Sequence, residues 1–201
     1  MAAIVVPFRG AGGKQRLTGL GAAAHRSLAL AMLADVLAAA TEVGRTIVVT
    51  CDEGGSRVAE ESGAEPVDDP GGGQGAAVAA ALGALPPAAV LIVNADVPCV
   101  VPYDLRSLLA ATPPAGIALV ASVDGRTNAL GLPGPHLFEP LYGPRSAERF
   151  QRAARALGLE VVVAPIANLA DDVDTPDDLF RVQSRTGPHT RAALHGLKLA
   201  S

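Results

Sequence analysis

Leu91-Ile92-Val93-Asn94-Ala95-Asp96-Val97-Pro98 is the stretch whose reading decides the fold. Val90 to Val93 is a continuous apolar run, the pattern of a strand covered on both faces in a largely parallel sheet, and it stops abruptly at Asn, Asp and Pro. A carboxylate, Asp96, is therefore expected at the C-terminal end of a central strand. Open α/β sheets form their ligand crevice at that edge, which makes Asp96 a candidate metal-binding or phosphate-handling acid. Capping of the turn into the helix after Pro102 would explain the same aspartate.

Upstream, Ala3 to Pro7 reads as a buried first strand, and Phe8 to Leu20 then runs through Arg9, Gly10, Gly12, Gly13, Lys14 and Arg16. Glycines let backbone N–H groups approach an anion while the cations supply charge, so a triphosphate would suit this loop, as would plain solvation. It lacks the Gly-Lys-Ser/Thr ending of a P-loop and the glycine spacing of a dinucleotide fingerprint. A second glycine loop, Asp68-Asp69-Pro70-Gly71-Gly72-Gly73-Gln74-Gly75, opens an alanine-rich helix from Ala76 to Ala84. Its backbone can lie against a flat ring or a ribose, with Asp69 and Gln74 placed to read a base edge. An ordinary flexible connection has the same composition.

Downstream, Pro102 to Ala111 is a helix, and Ile117 to Val123 a strand. Asp124-Gly125-Arg126-Thr127-Asn128 then turns the chain into Ala129 to Leu132, which predicts a hairpin and one antiparallel strand. The polar Arg126, Thr127 and Asn128 mark either a ligand-facing corner or a simple turn. Ser146 precedes a helix from Ala147 to Leu157 as its expected N-cap, and free N–H groups at such a start attract carboxylate or phosphate. In Asp171-Asp172-Val173-Asp174-Thr175-Pro176-Asp177-Asp178, Thr175 as N-cap, Pro176 at the first helical position and Asp178 three residues on are helix-start chemistry. Asp174 is left over, ahead of the cap, where it can point into the crevice.

The remaining elements are scaffolding. His25 to Ala40 is an amphipathic helix, Arg45 to Thr50 a strand, Ser56 to Ser62 a short helix capped by Ser56, Ala64 to Val67 a brief strand and Val161 to Pro165 the last core strand. The tail from about Thr186 reads as a weakly packed extension without chemistry. With 201 residues and 49% hydrophobic content, one well-cored domain is expected. The net charge of −4 argues against nucleic-acid binding, which needs a basic surface. Cys51 and Cys99 lack metal-ligand spacing and read as reduced thiols. Pro7 and Arg9 interrupt the first apolar run, and no apolar segment reaches the roughly 18 residues of a membrane span, so a cytoplasmic protein with no membrane partner is expected.

Taken together, the first strand with Pro7, Arg9, Lys14 and Arg16-Leu17, the Asn94-Ala95-Asp96-Val97-Pro98 strand end, the Arg126-Thr127-Asn128-Ala129-Leu130 turn, Tyr142-Gly143-Pro144-Arg145-Ser146 and Asp172-Val173-Asp174-Thr175-Pro176 resemble the phospholactate guanylyltransferase family of coenzyme F420 biosynthesis. The resemblance spans about residues 4 to 191. It implies an α/β, Rossmann-like nucleotidyltransferase fold of the type A glycosyltransferase-like kind, a three-layer sandwich on a mostly parallel mixed sheet. It also implies transfer of GMP from GTP to a small phosphorylated acid (2-phospho-L-lactate, phosphoenolpyruvate or 3-phosphoglycerate), with release of pyrophosphate and with Mg²⁺.

Under that resemblance Lys14, Arg16 and Asp96 are the catalytic candidates, and Asp96 with Asp174 the metal ligands. Arg9, Lys14 and Arg16 would hold the outer phosphates. Pro7, Phe8, Asp69, Gly73 and Gln74 would line the guanosine site, and Thr127, Asn128, Gly143 and Ser146 would receive the acceptor. The family's glycine loop usually ends in Leu-Asn, where this chain has Gln74-Gly75, and the basic loop is short. A molybdopterin guanylyltransferase and a nucleotide-binding regulatory module without turnover share much of this pattern. The three acceptors differ by a methyl, a methylene geometry or a phosphate position, which pocket shape sets and motif spacing does not.

Overall fold

The computed structural model describes residues 2–10 and 21–199. The expected run at Val90–Val93 is a fully buried strand, β4, in a seven-stranded sheet. The other strands are β1 (Ala3–Pro7), β2 (Arg45–Val49), β3 (Glu65–Val67), β5 (Gly116–Ala121), β6 (Thr127–Leu132) and β7 (Glu160–Val163). Their order is β3-β2-β1-β4-β6-β5-β7. β6 runs antiparallel to both β4 and β5, and the other pairings are parallel. The hairpin predicted from Asp124 to Asn128 is thus present. It inserts the single reversed strand beside β4.

The chain leaves β1 toward β2 and β3, then returns to its other side for β4. At such a reversal the loops after neighbouring strands diverge and open a crevice. Pro7 and Asn94 stand at its two lips.

Strand side chains alternate between the two faces, as the pleat requires. Ile4, Val6, Val48, Leu91 and Val93 pack with α1 (Ala22–Thr41) and α4 (Pro102–Ala111). Val5, Ile47, Val49, Val90 and Ile92 pack with α3 (Gln74–Gly83) and α5 (Ser146–Ala156). The result is the expected three-layer α/β arrangement.

Three readings of local structure are corrected. α2 (Glu53–Glu61) is capped by Asp52, whose carboxylate accepts from Gly55 N at 2.8 Å, and not by Ser56. Gly54 and Gly55 resemble helix breakers in sequence, but a Cβ on Gly55 would stand 2.6 Å from the Phe8 ring, so this glycine answers to packing. α1 is long and apolar enough for a membrane span, which the sequence reading denied; half of that span is buried. Its apolarity serves two partners: Leu33, Val36 and Leu37 meet the sheet, while Leu28 and Met32 meet Cys99, Val173 and Val182.

The third correction concerns the C-terminus. After α6 (Ala167–Ala170) and α7 (Pro176–Val182), residues Pro188–Leu199 form α8. It is docked on α1, with Thr186 and Thr190 buried. Asp35, inside α1 and 4% exposed, accepts from His189 N at 3.0 Å and Thr190 N at 2.9 Å. A carboxylate from one helix therefore satisfies the free first-turn donors of another. Gly187 is required there, because a Cβ would collide with that carboxylate. Sequence periodicity could not show a cap donated across 154 residues. Asp35→Ala should cost about 1–3 kcal/mol through the stranded donors. Urea unfolding measures it; an unchanged midpoint would mean that α8 does not depend on this cap.

Candidate functional site

The site begins where β4 ends. Asn94 N donates to Asn128 O at 2.9 Å, extending the ladder one residue past the strand, and the chain then turns through Ala95 to Asp96. From the far end of the sequence Val173 N donates to Asp96 O at 3.0 Å. The Val173 side chain is sealed in the cluster of Leu28, Met32, Cys99 and Val182. Its neighbours Asp172 and Asp174, two residues apart, line the same cavity as Asp96.

Each of Asp96, Asp172 and Asp174 offers a carboxylate oxygen within 4.8 Å of the others. The sequence singled out Asp96 and Asp174; Asp172 was missed. The signal was available in the alternation around Val173, because extended residues i and i+2 share a side.

The rest of the acidic run is sorted by partners. Asp171, half-buried, receives Arg185 at 2.6 Å. Asp178 forms the predicted capping box with Thr175, accepting from Thr175 N at 2.9 Å and from Asp174 N at 3.2 Å. Burial pushes the Asp178 carboxyl up, but hydrogen bonds from Thr175, from the backbone of Asp174 and Thr175, and from Arg181 outweigh it and hold it below the ordinary range. A fixed anion there pins the backbone that carries Asp174.

These acids stand on one wall of a cavity of about 480 Å³. Pro7, Phe8, Arg9 and Gln74 line one side. Phe8 is largely core, being 5% exposed. Gly73 borders this side: its φ is 104°, and a Cβ on it would lie 3.4 Å from the Arg9 guanidinium. Asp69 stands off the wall, with its carboxylate accepting from Gly71 N at 2.8 Å. Lys14 and Arg16 lie outside the described residues. Gly10, the last described residue before them, has φ 68°, and a Cβ on it would meet the Asp52 carboxylate at 2.7 Å.

Thr127, Asn128, Gly143 and Ser146 line the opposite side, together with Arg126 and Tyr142. Two expectations change here. Ser146 does not cap α5; Arg145, at φ 51°, occupies that position. The buried Ser146 hydroxyl accepts from Thr127 N at 2.9 Å and donates to Thr127 Oγ1 at 3.1 Å, which locks hairpin to helix. The first helix donors are also engaged, Ser146 N with Gly143 O at 3.1 Å and Ala147 N with Gly125 O at 3.2 Å.

Asn128 spends both amide hydrogens internally, on Ala170 O and Asp172 Oδ1, each at 3.2 Å. It organises the wall instead of offering these hydrogens to a ligand. Arg126 is the basic side chain on this side among the described residues, braced by Asp124 at 3.2 Å.

Electrostatics explain what the acids suit. The Asp172 carboxyl is pushed up to about 6 by burial first, then by the Asp96 charge, with Asp174 adding and the Asn128 hydrogen bond opposing. Gathering three acids is unfavourable until a cation joins them. The donor set is all hard oxygen, which fits Mg²⁺ or Mn²⁺ and not a soft metal.

The sequence profile of the MobA-like NTP transferase domain matches residues 13–171. A phosphoenolpyruvate guanylyltransferase of Conexibacter woesei is 40% identical, the match covering 97% of this chain and 95% of the relative. A 3-phospho-D-glycerate guanylyltransferase of Phenylobacterium zucineum is 35% identical over 98% and 97% of the two chains. Among solved structures, a nucleotidyl transferase from a Methanothermobacter superposes with a TM-score of 0.65 at 17% identity, covering 96% of this chain and 99% of its own.

The raised Asp172 carboxyl gives a pH signature. The folded value lies above the ordinary 3.8, so the folded state binds more protons between those values. The stabilising contribution is present at low pH and is lost as pH rises through about 6. Without divalent cation, Asp172→Asn should therefore raise the thermal midpoint little near pH 4 and progressively more toward pH 7. A difference that stays flat across that range would refute the assignment.

Proposed function

The chain belongs to the MobA-like NTP transferase family, and from that premise we propose that it transfers GMP from GTP to a small phosphorylated carboxylic acid, releasing pyrophosphate. Phosphoenolpyruvate and 3-phosphoglycerate, named for its relatives, and 2-phospho-L-lactate are the acceptors of that chemistry. Such a product fits coenzyme F420 biosynthesis. The observation that carries the reading is the meeting of Asp96, Asp172 and Asp174 at the crevice edge between two cation-bearing walls.

An oxygen of the acceptor phosphate attacks the α-phosphorus of GTP, and the bond to the β-phosphate oxygen breaks in line with it. The acceptor oxygen is already anionic at neutral pH, so no general base is required, and alignment with charge neutralisation supplies the rate. Asp96, Asp172 and Asp174 would hold Mg²⁺, which when bound neutralises phosphate charge. Arg9, with Lys14 and Arg16 from the adjoining loop, would hold the β- and γ-phosphates and the departing pyrophosphate. Pro7, Phe8, Gly73 and Gln74 bound the nucleoside side.

On the acceptor side Thr127 presents the hydroxyl hydrogen that Ser146 leaves to it, because Ser146 donates in their mutual bond. Arg126 adds a guanidinium suited to a carboxylate or phosphate. The cavity of about 480 Å³ falls in the range of ordinary ligand pockets.

Pyrophosphate release with GTP and each of the three acceptors, with mass spectrometry of the diphosphate product, tests the reading. Transfer to at least one acceptor is expected, and none with any would overturn it. Asp96→Asn should lower transfer by orders of magnitude at unchanged fold. Near-normal turnover would remove Asp96 from the chemistry.

A further inference from the structure

Three side-chain amides connect the start of α3 to the acid cluster. Asn128 Nδ2 donates to Asp172 Oδ1 at 3.2 Å, Asn94 Nδ2 to Asn128 Oδ1 at 3.3 Å, and Gln74 Nε2 to Asn94 Oδ1 at 2.7 Å. The direction of this chain is forced. An ionised carboxylate only accepts, so Asn128 turns its NH₂ to Asp172 and its oxygen away; Asn94 must then present NH₂ to that oxygen, and Gln74 must do the same to Asn94.

Two backbone carbonyls, which also only accept, fix the same sense independently. Ala170 O takes the other Asn128 hydrogen at 3.2 Å, and Thr127 O the other Asn94 hydrogen at 3.3 Å. Neither asparagine can flip without setting oxygen against oxygen.

We propose that Asn94, held by Gln74, is a positioning residue that acts through Asn128 to fix the Asp172 carboxylate for divalent-cation binding. This rests on the reading of Asp96, Asp172 and Asp174 as the cation ligands. Partners behind a ligating group set its orientation and basicity, and their loss typically weakens metal binding about 10–100-fold.

The relay also gives Gln74 a task in place of a base contact. Its donor is committed to Asn94, on the side of the cavity where Arg9 and Gly73 lie.

The test measures Mn²⁺ binding by loss of the free-ion EPR signal, with neither GTP nor acceptor present, for wild type, Asn94→Leu and Gln74→Met. Asn94→Leu removes all of its side-chain hydrogen bonds at similar volume and should raise the dissociation constant about 10–100-fold. Gln74→Met removes only the outer link and should raise it by a smaller factor. Turnover of Asn94→Leu should return toward wild type at saturating cation, a split between cation requirement and kcat that general damage would not give. Unchanged Mn²⁺ affinity in a folded Asn94→Leu overturns the relay alone. Should that variant not fold, unchanged affinity in Gln74→Met overturns it instead. A wild type that binds no Mn²⁺ overturns both the relay and the cation assignment beneath it.

Discussion

One backbone hydrogen bond, from Val173 N to Asp96 O, ties the two ends of the site together. It joins the turn after β4 to a segment near the end of the chain, and it works because the Val173 side chain is fully buried behind it. With that side chain fixed, extended geometry leaves Asp172 and Asp174 no face but the one Asp96 occupies. The hydrophobic effect is here the force that holds like charges together. The cluster around Val173 also contains α1 and the α7 residue Val182, so helices remote from the crevice take part in placing the acids.

This arrangement divides stability from function in a recognisable way. Around the site Asp178 is satisfied by its cap, Asp171 by Arg185, and the Asn128 amide hydrogens by Ala170 and Asp172. The unfavourable charge is confined to the place where a cation would sit. Asp172, pushed up by burial and by Asp96, expresses that stored cost within one carboxyl.

What the sequence revealed, and what it concealed, follow from the range of the forces involved. The buried strand ending in Asp96, the hairpin from Asp124 and the Thr175 capping box rest on local periodicity and turn chemistry, and all three are found in place. The crevice edge made Asp96 and Asp174 separate candidates, and the family resemblance paired them. Asp172 was legible in principle from the i, i+2 pattern around Val173. The cap that Asp35 gives α8 and the placing of Gly55 under Phe8 were not legible, because both depend on partners distant in sequence. Ser146 shows the same limit in reverse: its type fits an N-cap, but Thr127 competes for the hydroxyl and takes it.

The same competition narrows what can meet a ligand. Ser146 and the first donors of α5 are turned inward, as are both Asn128 hydrogens, and this wall of the cavity is left with the Thr127 hydroxyl, the Arg126 guanidinium and the apolar face of Tyr142, whose ring packs edge-on against Phe150 at 5.3 Å. Burial pushes the Tyr142 hydroxyl up, so that residue stays neutral. A wall with few donors and a rigid aromatic flank discriminates by shape and by one or two charges. Under the proposed reaction, small anions that share a phosphate and a carboxylate would be separated chiefly by how their short carbon frames fit that wall. Discrimination of that kind would leave residue motifs pointing to a class of acceptor and not to one of its members.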